Sequence, residues 1–306
     1  MILILGVTAS GKGRLAFDLA EFIGAEIISI DSMKVYRRMD IGTAKPPKEA
    51  RQRVKYHLID IVEPSDSFSV GAFINTASDI IGQINNRNGK IIAVGGTALY
   101  IKSLLYGLFD VAGTDEQIRT ELRARANAEG LSELYRDLKK IDAAAAERIN
   151  PNDTKRIVRA LEVYQLTGKP ISSLQKQWQQ HQIKHDWTII GLRREKADTS
   201  SRINRRIKKM ISAGLVDEVK SLLDEEKPIS KQARCAIGYA EIIEHLSRHT
   251  SLEDAVELIK INTRRLAKGQ RTWFKTFQDV HWLDVAEDEK PGQILDRTKK
   301  LLDNIS

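Results

Sequence analysis

A chain of 306 residues with 42% apolar and 29% charged residues can bury one sizeable core or two smaller ones, which excludes wholesale disorder. Its single cysteine, Cys235, excludes an internal disulfide and a cysteine-ligated zinc cluster, and no apolar run reaches the roughly 18 residues that a membrane span needs. A net charge of +8 and a pI near 9.4 suit a polyanionic partner without identifying one. The first stretch, Met1–Leu5, runs straight into a glycine loop and is too short for a signal peptide. A reducing cytoplasm is therefore the expected compartment.

In chain order, Ile2–Leu5, Glu26–Ile30, His57–Ile61 and Lys90–Val94 are short apolar runs that read as strands, and the segments after Lys12, Ser69 and Thr97 read as helices. Such alternation implies a parallel sheet covered on both faces. From 115 to 186 the strand signal lapses. That stretch, rich in Ala, Leu, Glu, Arg and Lys and closing on the polar run Gln175-Lys-Gln-Trp-Gln-Gln-His-Gln, reads as an all-helical insertion. Trp187–Leu192 returns to strand character, long amphipathic helices follow, and Val280–Leu283 reads as a late strand. The tail after Val285 reads as a polar helix or a frayed end. The expected fold is thus α/β, a parallel-sheet core (1–114 and 187–306), P-loop NTPase-like by the glycine loop Gly6–Lys12 that follows its first strand, interrupted by a helical domain (115–186).

Gly6-Val7-Thr8-Ala9-Ser10-Gly11-Lys12 follows the first strand and opens a helix, the context a phosphate loop requires. Its glycines let backbone N–H groups converge on phosphate oxygens, the helix N-terminus adds its positive end, and Lys12 adds a mobile charge. The pattern ordinarily continues with a Ser or Thr hydroxyl that ligates magnesium; here Gly13 stands instead, leaving the metal ligands unknown. Asp31, at the carboxyl end of the second strand, belongs beside this loop, where ligands gather in an open parallel sheet. It suits a metal ligand, a helix cap or a proton acceptor. Thr97, at the end of the fourth strand, suits a cap or a hydroxyl that holds Asp31 or an acceptor substrate.

Two later helices carry most of the positive charge. Arg202, Arg205, Arg206 and Lys209 recur opposite Ile203, Ile207 and Met210. Between Leu258 and Gln278 six basic residues stand without an acidic one, with Arg264, Lys268, Arg271 and Lys275 on one face. The first set reads equally as a solvated face, the second rather as a phosphate contact, and Trp273 reads as core.

Taken together, Gly6–Lys12, Ile30-Asp-Ser-Met33 with Val35-Tyr36, Met39-Asp-Ile-Gly-Thr-Ala-Lys-Pro46, His57-Leu-Ile-Asp-Ile61, Val94-Gly-Gly-Thr97, Asn152-Asp153, Arg156–Val163, Gly214–Val219, Ile237-Gly-Tyr239 and Thr272-Trp-Phe274 resemble the tRNA dimethylallyltransferase family, in order over residues 3–283. The resemblance implies transfer of a dimethylallyl group from dimethylallyl diphosphate to N6 of the adenosine beside the anticodon (position 37), with magnesium as cofactor and the tRNA anticodon stem-loop as partner. It implies that Asp31 is the general base, Thr97 its hydrogen-bonding partner, Lys12 a catalytic cation, and Gly6, Val7, Thr8, Ala9, Ser10, Gly11, Lys12 and Gly13 the diphosphate loop. Asp31, Ser32, Met33, Lys34, Lys155, Arg156, Ile157, Val158, Arg159, Cys235, Gly238 and Tyr239 match the family's tRNA-contacting stretches, and Arg119 matches a site near the acceptor. Arg156 and Arg159, three apart on one helix, would hold the RNA backbone. A monomer is expected. Gly13 replaces the family's hydroxyl, Lys34 stands where glutamine is common, Ala240 where lysine or arginine is, and Gly269 interrupts Ala-Lys-Arg-Gln. The rival readings are an adenylate prenyltransferase, a P-loop small-molecule kinase and a catalytically weakened RNA-binding protein.

Overall fold

The computed structural model describes residues 1–107, 113–175 and 186–305, so most of the polar run that closes the insertion lies outside the described residues. Two compact units result, one from residues 1–105 with 185–306 and one from residues 106–184. The second unit starts earlier than the expected 115 and ends close to the expected 186.

The first unit is a six-stranded parallel sheet of order β3-β2-β4-β1-β5-β6. Strands β1 (Ile2–Gly6), β2 (Ala25–Ile30), β4 (Lys90–Gly95) and β5 (Thr188–Arg193) are near-continuous apolar runs, the pattern of strands buried on both faces. β1 lies between β4 and β5, with Ile2 opposite both Ile92 and Thr188, so residues before and after the insertion share one sheet. β3 (Tyr56–His57) and β6 (Val280–Asp284) form the edges.

Helices α1 (Lys12–Ile23), α2 (Lys48–Arg53), α3 (Val70–Asn85) and α4 (Ala98–Tyr106) fill the first half of the unit. The Ser69 hydroxyl caps α3 by accepting from the Ala72 N–H at 3.1 Å. The second unit holds α5 (Glu116–Glu129), α6 (Leu131–Ile141), α7 (Ala143–Arg148), α8 (Thr154–Thr167) and α9 (Ile171–Leu174). After β5 come α10 (Lys196–Ser212), α11 (Leu215–Leu223), α12 (Lys231–Arg234), α13 (Tyr239–Leu246), α14 (Leu252–Phe274) and, after β6, α15 (Pro291–Ile305). One core joins Leu15, Phe17 and Leu19 of α1 to Ile4, Ile27, Ile92 and Ile190 of the sheet.

Two expectations need correction. The third strand does not reach Ile61, because Leu58 and Asp60 take left-handed backbone angles (φ 61° and 57°) that end the extended chain. The turn is held by the Asp60 carboxylate, which accepts from Lys45 and Arg51 at 2.5 Å each. The tail is an ordered amphipathic helix: Ile294, Leu295, Leu301 and Leu302 of α15 join the core built on α1.

The second unit has its own core of Leu122, Leu134, Leu138, Ile157, Leu161 and Val163. Asp115, Asp142 and Asp153 cap α5, α7 and α8 by accepting from backbone N–H groups. At its centre the Glu162 side chain, with 0% exposure, accepts from the Asp115 N–H at 2.9 Å, from Arg159 at 2.7 Å and from Arg119 at 3.0 Å. Burial alone would raise the glutamate pKa, but the bonds from Arg159, the Asp115 N–H and Arg119 outweigh it and hold the group below its ordinary value. Its stabilising contribution is therefore complete above the ordinary glutamate range and lost as pH falls below it. Glu162→Ala is expected to cost about 2 kcal/mol at neutral pH, since both arginines and a backbone donor lose their acceptor. Thermal unfolding checks this: the deficit shrinks on acidification, and an unaltered midpoint contradicts it.

Candidate active site

β1 ends in the phosphate loop, and the backbone of that loop is fastened from outside. Gly11 takes φ 99°, a conformation open to glycine, and Ala9 takes φ 63°. The Ala9 carbonyl accepts from Arg202 Nε at 2.8 Å and the Ser10 carbonyl from Arg194 Nε at 2.9 Å. Arg194 is itself buried, pairing with Asp198 at 2.8 Å and donating to the Ala286 carbonyl at 2.8 Å. The Thr8 N–H donates to Gln270 Oε1 at 2.7 Å, and Gln270 Nε2 donates to the Gly96 carbonyl at 2.9 Å, tying the ends of β1 and β4 together. A Cβ on Gly96 would stand 2.5 Å from Gln270 Nε2 and 3.5 Å from Lys12 Nζ, so this strap needs glycine there. Among the described residues the N–H groups of Ala9, Gly11 and Gly13 have no protein acceptor. They crowd the N-terminus of α1, which makes that end an anion-binding cradle.

The cleft beside the loop has a volume of about 1230 Å³ and is lined by eight basic side chains but only two acidic ones, Asp31 and Glu49. Lys12 Nζ donates to the Val7 carbonyl at 3.2 Å. Burial first, then the charge of Lys34, lowers the Lys12 pKa from 10.5 to about 7, with Arg206 adding to the shift and Asp31 opposing it. Burial also lowers Lys34 and Arg206, and again Asp31 opposes. Arg206 reaches in from α10 and donates to Thr8 Oγ1 at 2.7 Å. The cations are thus packed against one another around space that an anion would fill.

Asp31 follows β2. Its Oδ1 accepts from the Met33 and Lys34 N–H groups at 2.9 and 3.3 Å, while Oδ2 has no hydrogen bond among the described residues. Thr97 does not touch this carboxylate. Its Oγ1 accepts from the Ser32 N–H at 3.2 Å and so fixes the backbone that carries Asp31. The apolar lining of the cleft includes Ile207, Met210, Ile237, Ile259, Leu266 and Trp273. Trp273 is therefore a wall residue rather than core, and Lys102 Nζ lies 5.8 Å from its ring centroid.

A third wall is the segment 42–47, and here the Ile-Gly-Thr-Ala-Lys-Pro motif finds its physical meaning. Glu218 accepts from the N–H groups of Asp40, Ile41 and Gly42 at 3.0, 2.7 and 3.2 Å and from the Tyr239 hydroxyl at 2.5 Å. Lys45 is buried and donates to the Tyr36 carbonyl, Asp40 and Asp60 at 2.5, 2.7 and 2.5 Å. The motif folds the segment into a rigid wall.

Of the residues matched to RNA contact, Ser32, Met33, Lys34, Cys235 and Gly238 line the cleft. Tyr239 does not: its side chain is fully buried and serves Glu218. In the second unit Ile157 and Val158 are core, so the stretch 155–159 offers RNA only its polar members. Lys155 and Arg156 are exposed, Arg156 pairing with Asp153 at 3.3 Å, while Arg119 and Arg159 are engaged by Glu162. Arg194, Arg206, Gln270 and Glu218 were not singled out as site residues from the sequence. Arg206 alone carried a usable signal, its four-residue spacing from Arg202 opposite Ile203 and Ile207.

The protein oxygens do not fit a protein-held divalent ion. Gly13 offers no ligand, Thr8 Oγ1 is bonded to a guanidinium, and the buried Ser10 hydroxyl accepts weakly from the Lys12 N–H at 3.4 Å. Asp31 is a lone carboxylate, and among the described residues no group of three or more His, Cys, Asp or Glu is placed to hold a metal.

A parallel sheet with a cationic phosphate loop after its first strand defines a P-loop phosphate-binding α/β protein. The chain matches the IPP transferase family over residues 34–277 and belongs to it. It is 45% identical to a tRNA dimethylallyltransferase of Geobacter metallireducens over 284 residues, 93% of this chain and 92% of the other. Among solved structures, it is similar to the tRNA isopentenylpyrophosphate transferase of Bacillus halodurans, with TM-score 0.71 and 38% identity over 98% of this chain and 95% of that one. It is also similar to a eukaryotic dimethylallyltransferase acting on tRNA, with TM-score 0.83 and 26% identity over 99% and 79% of the two chains. Among the described residues no helix is long and apolar enough to cross a membrane.

The depressed Lys12 has a measurable consequence. An anion seated on the loop restores its charge, so binding of inorganic diphosphate at pH 8 draws protons from solution. Calorimetry in buffers of different ionisation enthalpy is expected to show about one proton more for the natural protein than for Lys12→Met. Equal uptake by the two proteins contradicts the assignment.

Proposed function

We propose that the chain transfers the dimethylallyl group of dimethylallyl diphosphate to N6 of adenosine 37 in tRNA. The observation that carries this reading is the meeting, in one cleft, of an anion cradle with the Asp31 carboxylate, whose Oδ2 is open. The reaction needs both. As the allylic C–O bond breaks, its electron pair leaves with the diphosphate, and the negative charge grows on oxygens held by the loop N–H groups, Lys12 and Arg206. The N6 lone pair forms the new C–N bond, and the amine proton passes to Asp31 Oδ2. The apolar wall from Ile207 to Trp273 covers the allyl group and keeps water from the cation-like carbon.

Thr97 enters as a positioning residue, through the Ser32 N–H, rather than through the carboxylate. Magnesium would meet this protein at Asp31 alone. We assign Lys155 and Arg156 to the RNA backbone, as exposed cations of the second unit, and read Arg119 and Arg159 first as the scaffold of that unit.

The test is incubation with labelled dimethylallyl diphosphate and, in parallel, unmodified tRNA, AMP and ATP. Label is expected in tRNA; label in AMP would instead mean an adenylate prenyltransferase, and phosphoryl transfer from ATP a kinase. Asp31→Asn is expected to slow transfer by about a hundredfold or more while tRNA affinity stays near that of the natural protein. Transfer at the natural rate would remove Asp31 from the role of base.

A further inference from the structure

We propose that Lys34 is a diphosphate-neutralising residue, supplying charge that a P-loop ordinarily draws from a hydroxyl-held magnesium ion. The inference rests on the reading of the cleft as the allylic diphosphate site.

Two positions of this chain carry it together. At Gly13 the P-loop pattern places the metal-ligating hydroxyl. Packing does not dictate glycine there, since an added Cβ would meet nothing within 4 Å. The substitution therefore removes a ligand without relieving a clash. The remaining loop hydroxyls do not replace it, because Thr8 Oγ1 already accepts from Arg206 and Ser10 is fully buried.

Lys34 adds what Gly13 takes away. It lines the cleft, and its ammonium makes no hydrogen bond or ion pair with any described residue. Lys12 and Arg206 bear like charge beside it, Lys45 lies behind, and only Asp31 opposes. A half-buried ammonium without a partner is costly unless an anion arrives. The turn that presents it is fixed, because Asp31 Oδ1 accepts the Lys34 N–H at 3.3 Å. Neutralisation of the leaving group and acceptance of the proton thus come from one short segment. Lys34 takes no part in bond making: the C–O electron pair leaves with the diphosphate, the C–N bond forms from N6, and the proton goes to Asp31. An ammonium in this position stabilises the departing charge as a fixed metal would, but without metal ligands.

The experiment measures binding of inorganic diphosphate by titration calorimetry, in EDTA and in excess magnesium chloride, for the natural chain, Lys34→Gln, Lys34→Arg, Lys34→Gln combined with Gly13→Ser, Lys12→Met and Arg206→Gln. Lys34→Gln is expected to lose affinity in EDTA by about ten- to a hundredfold, the range for one charge-assisted hydrogen bond, and to lose less with magnesium present. Lys34→Arg recovers most of the loss. Gly13→Ser in the Lys34→Gln background restores binding only when magnesium is added. Removing an unpaired, half-buried charge should not lower the unfolding temperature of the ligand-free protein, so a folded variant is available for comparison. Equal affinities of the natural protein and Lys34→Gln in EDTA would overturn the inference, as would a natural protein whose binding collapses in EDTA to the Lys34→Gln level. Binding that needs Lys12 and Arg206 but ignores Lys34 sinks this inference and leaves the donor site standing. No diphosphate binding under any condition overturns both.

Discussion

Everything in the cleft depends on three guanidinium groups that hold the phosphate loop in place. Arg194 and Arg202 take the Ser10 and Ala9 carbonyls, and Arg206 takes the Thr8 hydroxyl. A peptide plane fixed at its carbonyl is fixed at the following N–H as well, so the bond from Arg194 to the Ser10 carbonyl aims the Gly11 N–H before any ligand arrives, while Arg202 and Arg206 hold the residues before it. The arginines come from beyond the helical insertion, nearly two hundred residues along the chain (|i−j| of 184, 193 and 198), while the loop comes from the first strand. The loop is thus preorganised only when both halves of the sheet have assembled, which couples folding of the core to competence of the site.

One of these guanidiniums, that of Arg206, also enters an electrostatic problem that the chain solves with its substrate. Lys12, Lys34 and Arg206 lie half-buried together with Asp31 as the nearby acid, and loss of solvent lowers the proton affinity of all three bases. Such a cluster suits a ligand that arrives with negative charge and gains more charge on its leaving oxygen during reaction. A phosphoryl-transfer enzyme of this class needs a metal that bridges donor oxygens. An alkyl transfer with diphosphate as leaving group needs charge neutralisation and a proton acceptor, and both lie within side-chain reach.

Much of this was legible in the sequence, for identifiable reasons. The phosphate loop and the fully apolar strands are local signals: a glycine pattern at a strand–helix junction and runs of β-branched residues. Asp31 and Thr97 were legible from topology, since carboxyl ends of parallel strands converge. What escaped is non-local. Gln270 and Glu218 act across long separations on backbone atoms, which no spacing rule records. The short β3 escaped because Leu58 and Asp60 take left-handed angles in a turn whose Asp60 carboxylate is held by the distant Lys45 and Arg51. Tyr239, Ile157 and Val158 show the converse, that residues in a recognisable motif can earn their place by packing. Thr97 was found in the right place but with a different partner, because a hydroxyl at a strand end meets the nearest backbone donor first.

The account comes down to where an allylic diphosphate lies relative to Asp31. Diffraction from crystals grown with an unreactive thiolodiphosphate analogue of the donor decides it. The account requires the diphosphate on the N–H groups of Ala9, Gly11 and Gly13, within reach of Lys12, Lys34 and Arg206, with the allylic carbon facing Asp31 Oδ2. An analogue seated away from the loop, or one whose allylic carbon points away from Asp31, would contradict it.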